Sequence, residues 1–174
     1  MSAGRRSPTA VGHPTAVDED RFRRALAVHA AGVVVITAET PGGPAGLTAT
    51  SFTSVSLDPP LVSFYVDRSS TTWPGLRLAD HFGVNILARE QREVAVRFAR
   101  RGADRFAGTP WRAGPWGVPL LGGVTAHLVC AAHRTVELGD HVLVVGEVTD
   151  TSLGPTRHPL LYQQGTFGRF IPYT

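Results

Sequence analysis

One stretch constrains the fold more than any other: Val124 to Leu138, then Gly139-Asp140, then His141 to Val148. Its first arm alternates, with Val129, Ala131 and His133 on one side and Cys130, Ala132 and Arg134 on the other. That period of two defines a strand. Gly-Asp makes a tight turn, and the apolar run after it reads as the returning arm of a long hairpin. Such a ribbon needs further strands to cover its apolar face. The runs Val33-Val34-Val35-Ile36-Thr37, Leu61 to Val66 and Phe82 to Leu87 are strand-like in composition. Ala45 to Ser56 reads as extended until Asp58-Pro59-Pro60 breaks it, because proline forbids helix and removes a donor. Leu160-Leu161-Tyr162 and Thr166 to Ile171 finish the chain.

Helical signals are fewer. Asp18 can cap a helix running to Ala31, with Phe22 and Leu26 four apart and Gly32 stopping it. Ser69-Ser70-Thr71-Thr72 opens a short helical stretch to about Ala79, and Arg89 to Arg101 is amphipathic, with Val94 and Phe98 on one side. Residues 102 to 122, rich in glycine, proline and tryptophan, read as a long loop of the kind that tends to be functional. The strands are joined mostly by hairpins rather than by βαβ crossovers. The expected fold class is therefore mainly β with peripheral α-helices, a closed or partly closed antiparallel barrel. Residues 18–174 form one domain in this reading. Residues 1–17, rich in Ser, Pro, Thr, Ala and Gly, form a flexible N-terminal tail.

Composition excludes several classes. Hydrophobic residues make up 43% and charged residues 18%, as in ordinary globular proteins. The apolar runs are too short to cross a bilayer, so no membrane partner is expected. Arg5 and Arg6 are followed by no apolar segment, so no secretory signal is read there. The net charge of +3 is mild. Arginines gather at positions 21, 23 and 24 and again at 97, 100, 101 and 105, either as solvated helix faces or as an attraction for phosphate-bearing ligands. A nucleic-acid partner calls for more charge with aromatics interleaved, and none is expected. Cys130 is the single cysteine and lies in an apolar run, so it reads as a small buried hydrophobe. A cysteine-poor chain fits a reducing, cytoplasmic compartment.

Four segments could carry chemistry. In Gly46 to Pro60, small residues alternate with hydroxyls before a double proline. This is either a solvent-facing strand or a surface that lets a flat ring approach and bonds its polar edge. Asp67-Arg68-Ser69-Ser70-Thr71-Thr72 follows a strand and opens a helix, which suits either plain N-capping or a phosphate. Gly83 and Asn85 interrupt an apolar strand, either as a bulge with a satisfied buried amide or as a place of close ligand approach. His141 at the hairpin turn is either merely exposed or faces a second ligand. The other histidines, His29, His81, His127, His133 and His158, show no ligand-like spacing, and no metal site is expected. Trp73, Trp111 and Trp116 stand near prolines and read as packing or subunit contacts.

In order and spacing, Leu47-Thr48-Ala49-Thr50-Ser51-Phe52, Ser54 to Pro60, Phe82-Gly83-Val84-Asn85, Arg105-Phe106 and Gly139-Asp140-His141 resemble the flavin reductase-like family of FMN-binding split barrels. These are the short-chain reductases that serve two-component flavin monooxygenases. The resemblance runs from about residue 18 to residue 170 and implies a split β-barrel working as a homodimer. By that resemblance, Thr48, Ala49, Thr50 and Ser51 line the isoalloxazine and ribityl parts of FAD or FMN. Ser69, Ser70 and Thr72 hold the phosphate end, Gly83 and Asn85 contact the flavin, and His141 sits near the nicotinamide of NADH or NADPH. Arg97 and Phe98 are further cofactor-binding candidates. Asp67 is assigned no phosphate contact, because a carboxylate beside a phosphate is unfavourable. The implied reaction is hydride transfer from a reduced nicotinamide to the flavin, which needs no catalytic acid–base pair. The reduced flavin then diffuses to a partner monooxygenase. With no Gly-x-Gly-x-x-Gly fingerprint, the nicotinamide is expected to lie folded over the flavin rather than on a Rossmann domain. The alternative is a non-catalytic split barrel that holds flavin or haem, with His127 or His133 as an axial ligand.

Overall fold

The computed structural model describes residues 17–156 and 158–173. The tail expected over residues 1–17 lies outside the described residues except for Val17. In chain order the elements are α1 (Glu19–Ala27), β1 (Ala31–Gly32), β2 (Val34–Thr40), β3 (Gly43–Ala49), β4 (Thr53–Leu57), β5 (Pro60–Asp67), α2 (Trp73–Leu76), β6 (His81–Ile86), α3 (Arg92–Ala99), β7 (Trp111–Ala113), β8 (Pro119–Leu121), β9 (Ala126–Leu138), β10 (His141–Leu153), β11 (Leu160–Gln163) and β12 (Thr166–Arg169).

The β9–β10 hairpin is the spine. It pairs from His141 opposite Leu138 to Leu153 opposite Ala126, with irregularities at Val145/Gly146 and Val148/Asp150. Such bulges raise the local twist. β6 flanks β9 and β5 flanks β10, giving a seven-stranded antiparallel sheet in the order β3-β2-β6-β9-β10-β5-β4. The sheet curls on itself. Leu47 and Ala49 of β3 share one core with Val62, Phe64 and Val66 of β5, together with Ile36, Val84, Cys130 and Val144. Ser51 closes the seam, its Oγ accepting from the Tyr65 N–H at 2.9 Å. The result is the mainly β split barrel with peripheral helices that the sequence pattern implies.

β2 is buried along Val34 to Ala38, which explains its unbroken apolar run. Its inner residues belong to the barrel core. Val33 and Val35, facing the other way, pack with Ala95 and Phe98 of α3, Leu121 and Leu160. That second cluster fixes α3 against the barrel. Cys130 is fully buried in the barrel core, and desolvation pushes its thiol pKa up to about 12.

Four boundaries differ from the sequence reading. The extended segment 45–56 is two strands, with a break between Ala49 and Thr53. Residues 102–122 are not structureless: β7 and β8 form a hairpin that buries Val118, Leu120 and Leu121. α1 starts as expected, with Asp18 Oδ2 accepting from Arg21 N at 3.1 Å, but it ends at Ala27. β10 runs on to Leu153. No helix among the described residues is long and apolar enough to cross a membrane.

Candidate functional site

A cleft of about 200 Å³ opens where β3, the end of β5, the turn after it and α3 meet. Strand alternation decides what faces it. Leu47 and Ala49 point into the core, so Thr48 turns outward into the cleft. Thr48 Oγ1 donates to the Ala95 carbonyl of α3 at 2.7 Å. Its lone pairs remain available to a ligand. An adjoining cleft of about 450 Å³ shares Thr48 and Ala99 and adds Thr50, Tyr162 and Phe167. Small residues, hydroxyls and two aromatic rings suit a flat heteroaromatic group there.

The turn after β5 is built from its own polar side chains. Asp67 Oδ1 accepts from Ser69 N at 2.7 Å, and Ser70 Oγ accepts from Thr72 N at 3.3 Å. The Ser69 bonds come first among the causes that hold the Asp67 carboxyl below its ordinary range, followed by the nearby His141 and Arg101 charges. Thr72 occupies the N-cap of α2 and makes no side-chain cap bond. Ser70 therefore serves the N–H of the N-cap residue rather than standing at the N-cap itself.

Two arginines face these hydroxyls. Arg101 Nη2 donates to Ser69 Oγ at 3.0 Å. Arg105 Nη1 donates to Thr72 Oγ1 and, at 2.6 Å, to the Gly46 carbonyl. Arg105 Nε and Nη2 both donate to the Arg100 carbonyl, at 3.0 and 2.7 Å. Burial lowers the Arg105 pKa from its ordinary value, yet a guanidinium stays cationic. Arg101, Arg105 and Ser70 all line the cleft. Hydroxyl donors beside two cations form a place for a phosphate ester.

His141 stands at the rim of the same region. It pairs with Asp67 across the β5–β10 ladder, and Arg68 N donates to Asp140 O at 3.0 Å. His141 Nδ1 lies 2.7 Å from Asp140 Oδ1. The bond to His141 and its charge hold the Asp140 carboxyl below its ordinary range. An ionised carboxylate only accepts, which assigns the proton to Nδ1 and leaves Nε2 for a ligand.

Of the expected residues Thr48 and Ser70 line the cleft, Thr50 lines the adjoining one and Thr72 lines a hollow on the other side of Arg105. Ser69 is held by Arg101, His141 pairs with the cleft residue Asp67, and Ser51 is bonded to the Tyr65 wall. Other expected contacts are corrected. The Ala49 methyl lies in the barrel core, so only its backbone can reach a ligand. Asn85 is fully buried: Nδ2 donates to Val35 O and Thr37 Oγ1, both at 3.0 Å, while Oδ1 accepts from Leu121 N at 2.8 Å. Its amide is satisfied within the fold and has no free arm for a flavin. At Gly83 a Cβ would come within 2.8 Å of Thr37 Oγ1 and 2.9 Å of Val118 Cγ1, so the close approach there is to protein. Phe98 is fully buried and forms the cleft floor. Arg97 Nη1 donates to Ala107 O and Thr109 Oγ1, each at 2.7 Å, tying α3 to the following loop.

The two histidines weighed as axial ligands do not form a haem pocket. His127 has both ring nitrogens engaged, Nε2 at 2.8 Å from Leu121 O and Nδ1 at 3.3 Å from Ser152 Oγ, and burial lowers its pKa. His133 is about half exposed beside Glu147. Arg101 and Arg105 are what residue-by-residue reading passed over. The arginine cluster and the Arg105-Phe106 pair were the available signals, but neither says which cation turns toward β5.

A curled antiparallel barrel thus joins a chamber lined by small residues, hydroxyls and two aromatic rings to a cluster of hydroxyls and arginines, a combination that suits a phosphorylated heteroaromatic ligand. The sequence model described as a flavin reductase like domain matches residues 26–170. A flavin reductase of Pseudomonas putida is 41% identical over 157 residues, 90% of this chain and 92% of that protein. The reductase subunit of a flavin-dependent monooxygenase from Rhodococcus jostii is 38% identical over 157 residues, 90% of this chain and 80% of that one. A solved NADH:FAD oxidoreductase of Streptomyces globisporus, in complex with NAD and FAD fragments, superimposes with a TM-score of 0.83 at 39% identity, covering 89% of this chain and 94% of that chain. This chain belongs to the flavin reductase-like family.

Proposed function

We propose that this protein is an NADH-dependent flavin reductase that accepts FMN or FAD and supplies reduced flavin to a partner monooxygenase. The observation that carries this reading is the junction of two unlike surfaces at Thr48: a chamber of small and aromatic residues on one side, and the turn after β5 with Arg101 and Arg105 on the other. A phosphorylated flavin needs both, one for its ring and one for its phosphate. Relatives named as flavin reductases and as a monooxygenase reductase subunit support the reaction and the partner.

A bound flavin supplies the hydride-accepting ring. The protein's own residues do the rest. Thr48 and Thr50 offer hydroxyls to the ring edge and ribityl chain. Ser70, whose Oγ accepts from Thr72 N, turns its own O–H toward the phosphate. Arg101 and Arg105 neutralise the phosphate charge, and their ties to Ser69, Thr72 and Gly46 hold them in place before the ligand arrives. Preorganisation of this kind lowers the ordering cost of binding. His141, oriented by Asp140, presents Nε2 at the rim to position the nicotinamide over the ring. Hydride transfer itself requires no proton donor.

The protein works as a homodimer in the cytoplasm in this reading. α1 buries none of its residues within one chain, and Phe22 and Leu26 on it are 54% and 56% exposed. A second copy covering them would supply the burial that helix lacks. The test is anaerobic: mix purified protein, FMN or FAD, and NADH, and follow the yellow flavin absorbance. Bleaching that consumes one NADH per flavin supports the reading, and flavin that stays oxidised overturns it.

A further inference from the structure

The first turn of α3 carries a charge that its own helix disfavours. Arg92 opens the helix, and the N-terminal end of a helix dipole repels a cation. Among the described residues Arg92 forms no salt bridge, whereas Arg89 just before it is paired with Glu90. Arg97 also forgoes its local partner. Glu93 stands four residues ahead of it, a spacing that favours an ion pair. Arg97 Nη1 donates instead to Ala107 O and Thr109 Oγ1. Those two bonds fix the side chain and leave Nε and Nη2 for other acceptors. Arg100, at the C-cap, likewise forms no salt bridge among the described residues.

These three arginines line one groove of about 350 Å³, with Glu93 and Val96 as its other walls. Val96 and Arg100 also line the ring chamber of about 450 Å³, so the groove runs to that chamber's edge. Arginines pair with carboxylates through two parallel bonds, and a positive patch steers an acidic surface toward it. A protein that collects reduced flavin has to come to this mouth. Reduced flavin left in aerated solution passes two electrons and two protons to dioxygen, which becomes hydrogen peroxide. Transfer within a complex avoids that loss.

Resting on the reductase reading above, we infer that the α3 groove docks an acidic surface of the protein that receives the reduced flavin, so that the two meet over the ring chamber. Poly-L-glutamate is the probe. Its binding is read by anisotropy of the labelled polymer, and its effect on flavin turnover by steady-state kinetics at low salt, in the wild type, Arg92→Glu and Arg134→Glu. Arg134 is exposed on β9 and lies outside the groove, so its reversal changes net charge equally. The wild type and Arg134→Glu should bind the polymer alike, and bound polymer should raise the KM for FMN without lowering kcat. Arg92→Glu should bind it about fivefold or more weakly, for one attraction lost and one repulsion gained at an exposed site. It should also escape the inhibition, while its KM without polymer stays at the wild-type level. A carboxylate suits the first turn of a helix, so the melting temperature should not fall. Equal weakening in both variants would reduce the effect to net charge, and inhibition that persists in Arg92→Glu would put the polymer at the phosphate cradle. Either result overturns the inference and leaves the reductase reading standing, as does a DNA duplex that binds the groove more tightly than the polymer. A wild type that reduces no flavin overturns the reductase reading and the docking role with it.

Discussion

Replacing Arg105 with alanine separates two roles that one side chain holds. The guanidinium faces the cleft as a cation, and it also ties β3, the N-cap of α2 and the end of α3 through Gly46, Thr72 and Arg100. A charge-assisted hydrogen bond to phosphate is worth about 1.5–3 kcal/mol, so its loss should raise the FMN dissociation constant roughly 10- to 150-fold. Losing the ties should cost stability as well, on the order of 1–3 kcal/mol for a partly exposed group of this kind. Riboflavin distinguishes the two effects, because it keeps the ring and ribityl chain but has no phosphate. Titration of folded Arg105→Ala should show FMN weakened and riboflavin unchanged. Arg105→Lys should recover part of the FMN affinity, since a point charge keeps the attraction but loses the fork. Unchanged FMN affinity would remove the phosphate role. Equal weakening of FMN and riboflavin would show that the site collapses when the ties are lost.

Three further outcomes follow from the same geometry. His141→Ala should raise the KM for NADH while leaving flavin affinity alone, and unchanged steady-state kinetics would return His141 to a plain turn residue. Asn85→Leu leaves Leu121 N without its buried acceptor and Thr37 Oγ1 without its donor. It should destabilise the fold by about 2–5 kcal/mol, seen as a shifted urea midpoint. A variant as stable as the wild type but unable to bind flavin would restore Asn85 to the site. Asp67 and Asp140 have folded pKa values below the reference of 3.8. Their contribution to stability is therefore present above that value and lost as pH falls through the folded values, so melting should begin to respond to them only below about pH 4. Asp67→Asn with Asp140→Asn should flatten that acid limb, and an unaltered limb would show that other carboxylates control it.

How much was legible beforehand depended on range. The β9–β10 hairpin, the strands at 61–66 and 82–87, and the Asp18 cap are local patterns, and they were readable because period and turn chemistry lie within a few residues of one another. The 102–122 hairpin escaped because three-residue strands carry almost no periodicity; the burial of Leu120 and Leu121 is visible only once β2 and β6 stand over them. The site shows the same division. Thr48 and Thr50 face outward because Leu47 and Ala49 face inward, and that alternation was present in the sequence. Asn85 looked available because an amide within an apolar run signals either a ligand contact or a satisfied core group. The choice rests on Thr37 and Leu121, distant in the chain by 48 and 36 residues. Arg97 and Arg105 are alike in composition, and only the path of the loop after α3 turns one to Thr109 and the other to Thr72.

The most direct measurement is steady-state NADH oxidation by the purified protein, followed by loss of the nicotinamide absorbance, with FMN, FAD or no flavin added. Turnover that rises with added flavin and falls when Arg105 is replaced by alanine is the expected result. A folded protein that binds flavin through this cleft yet oxidises neither NADH nor NADPH would contradict the reductase reading and leave a flavin-holding barrel in its place.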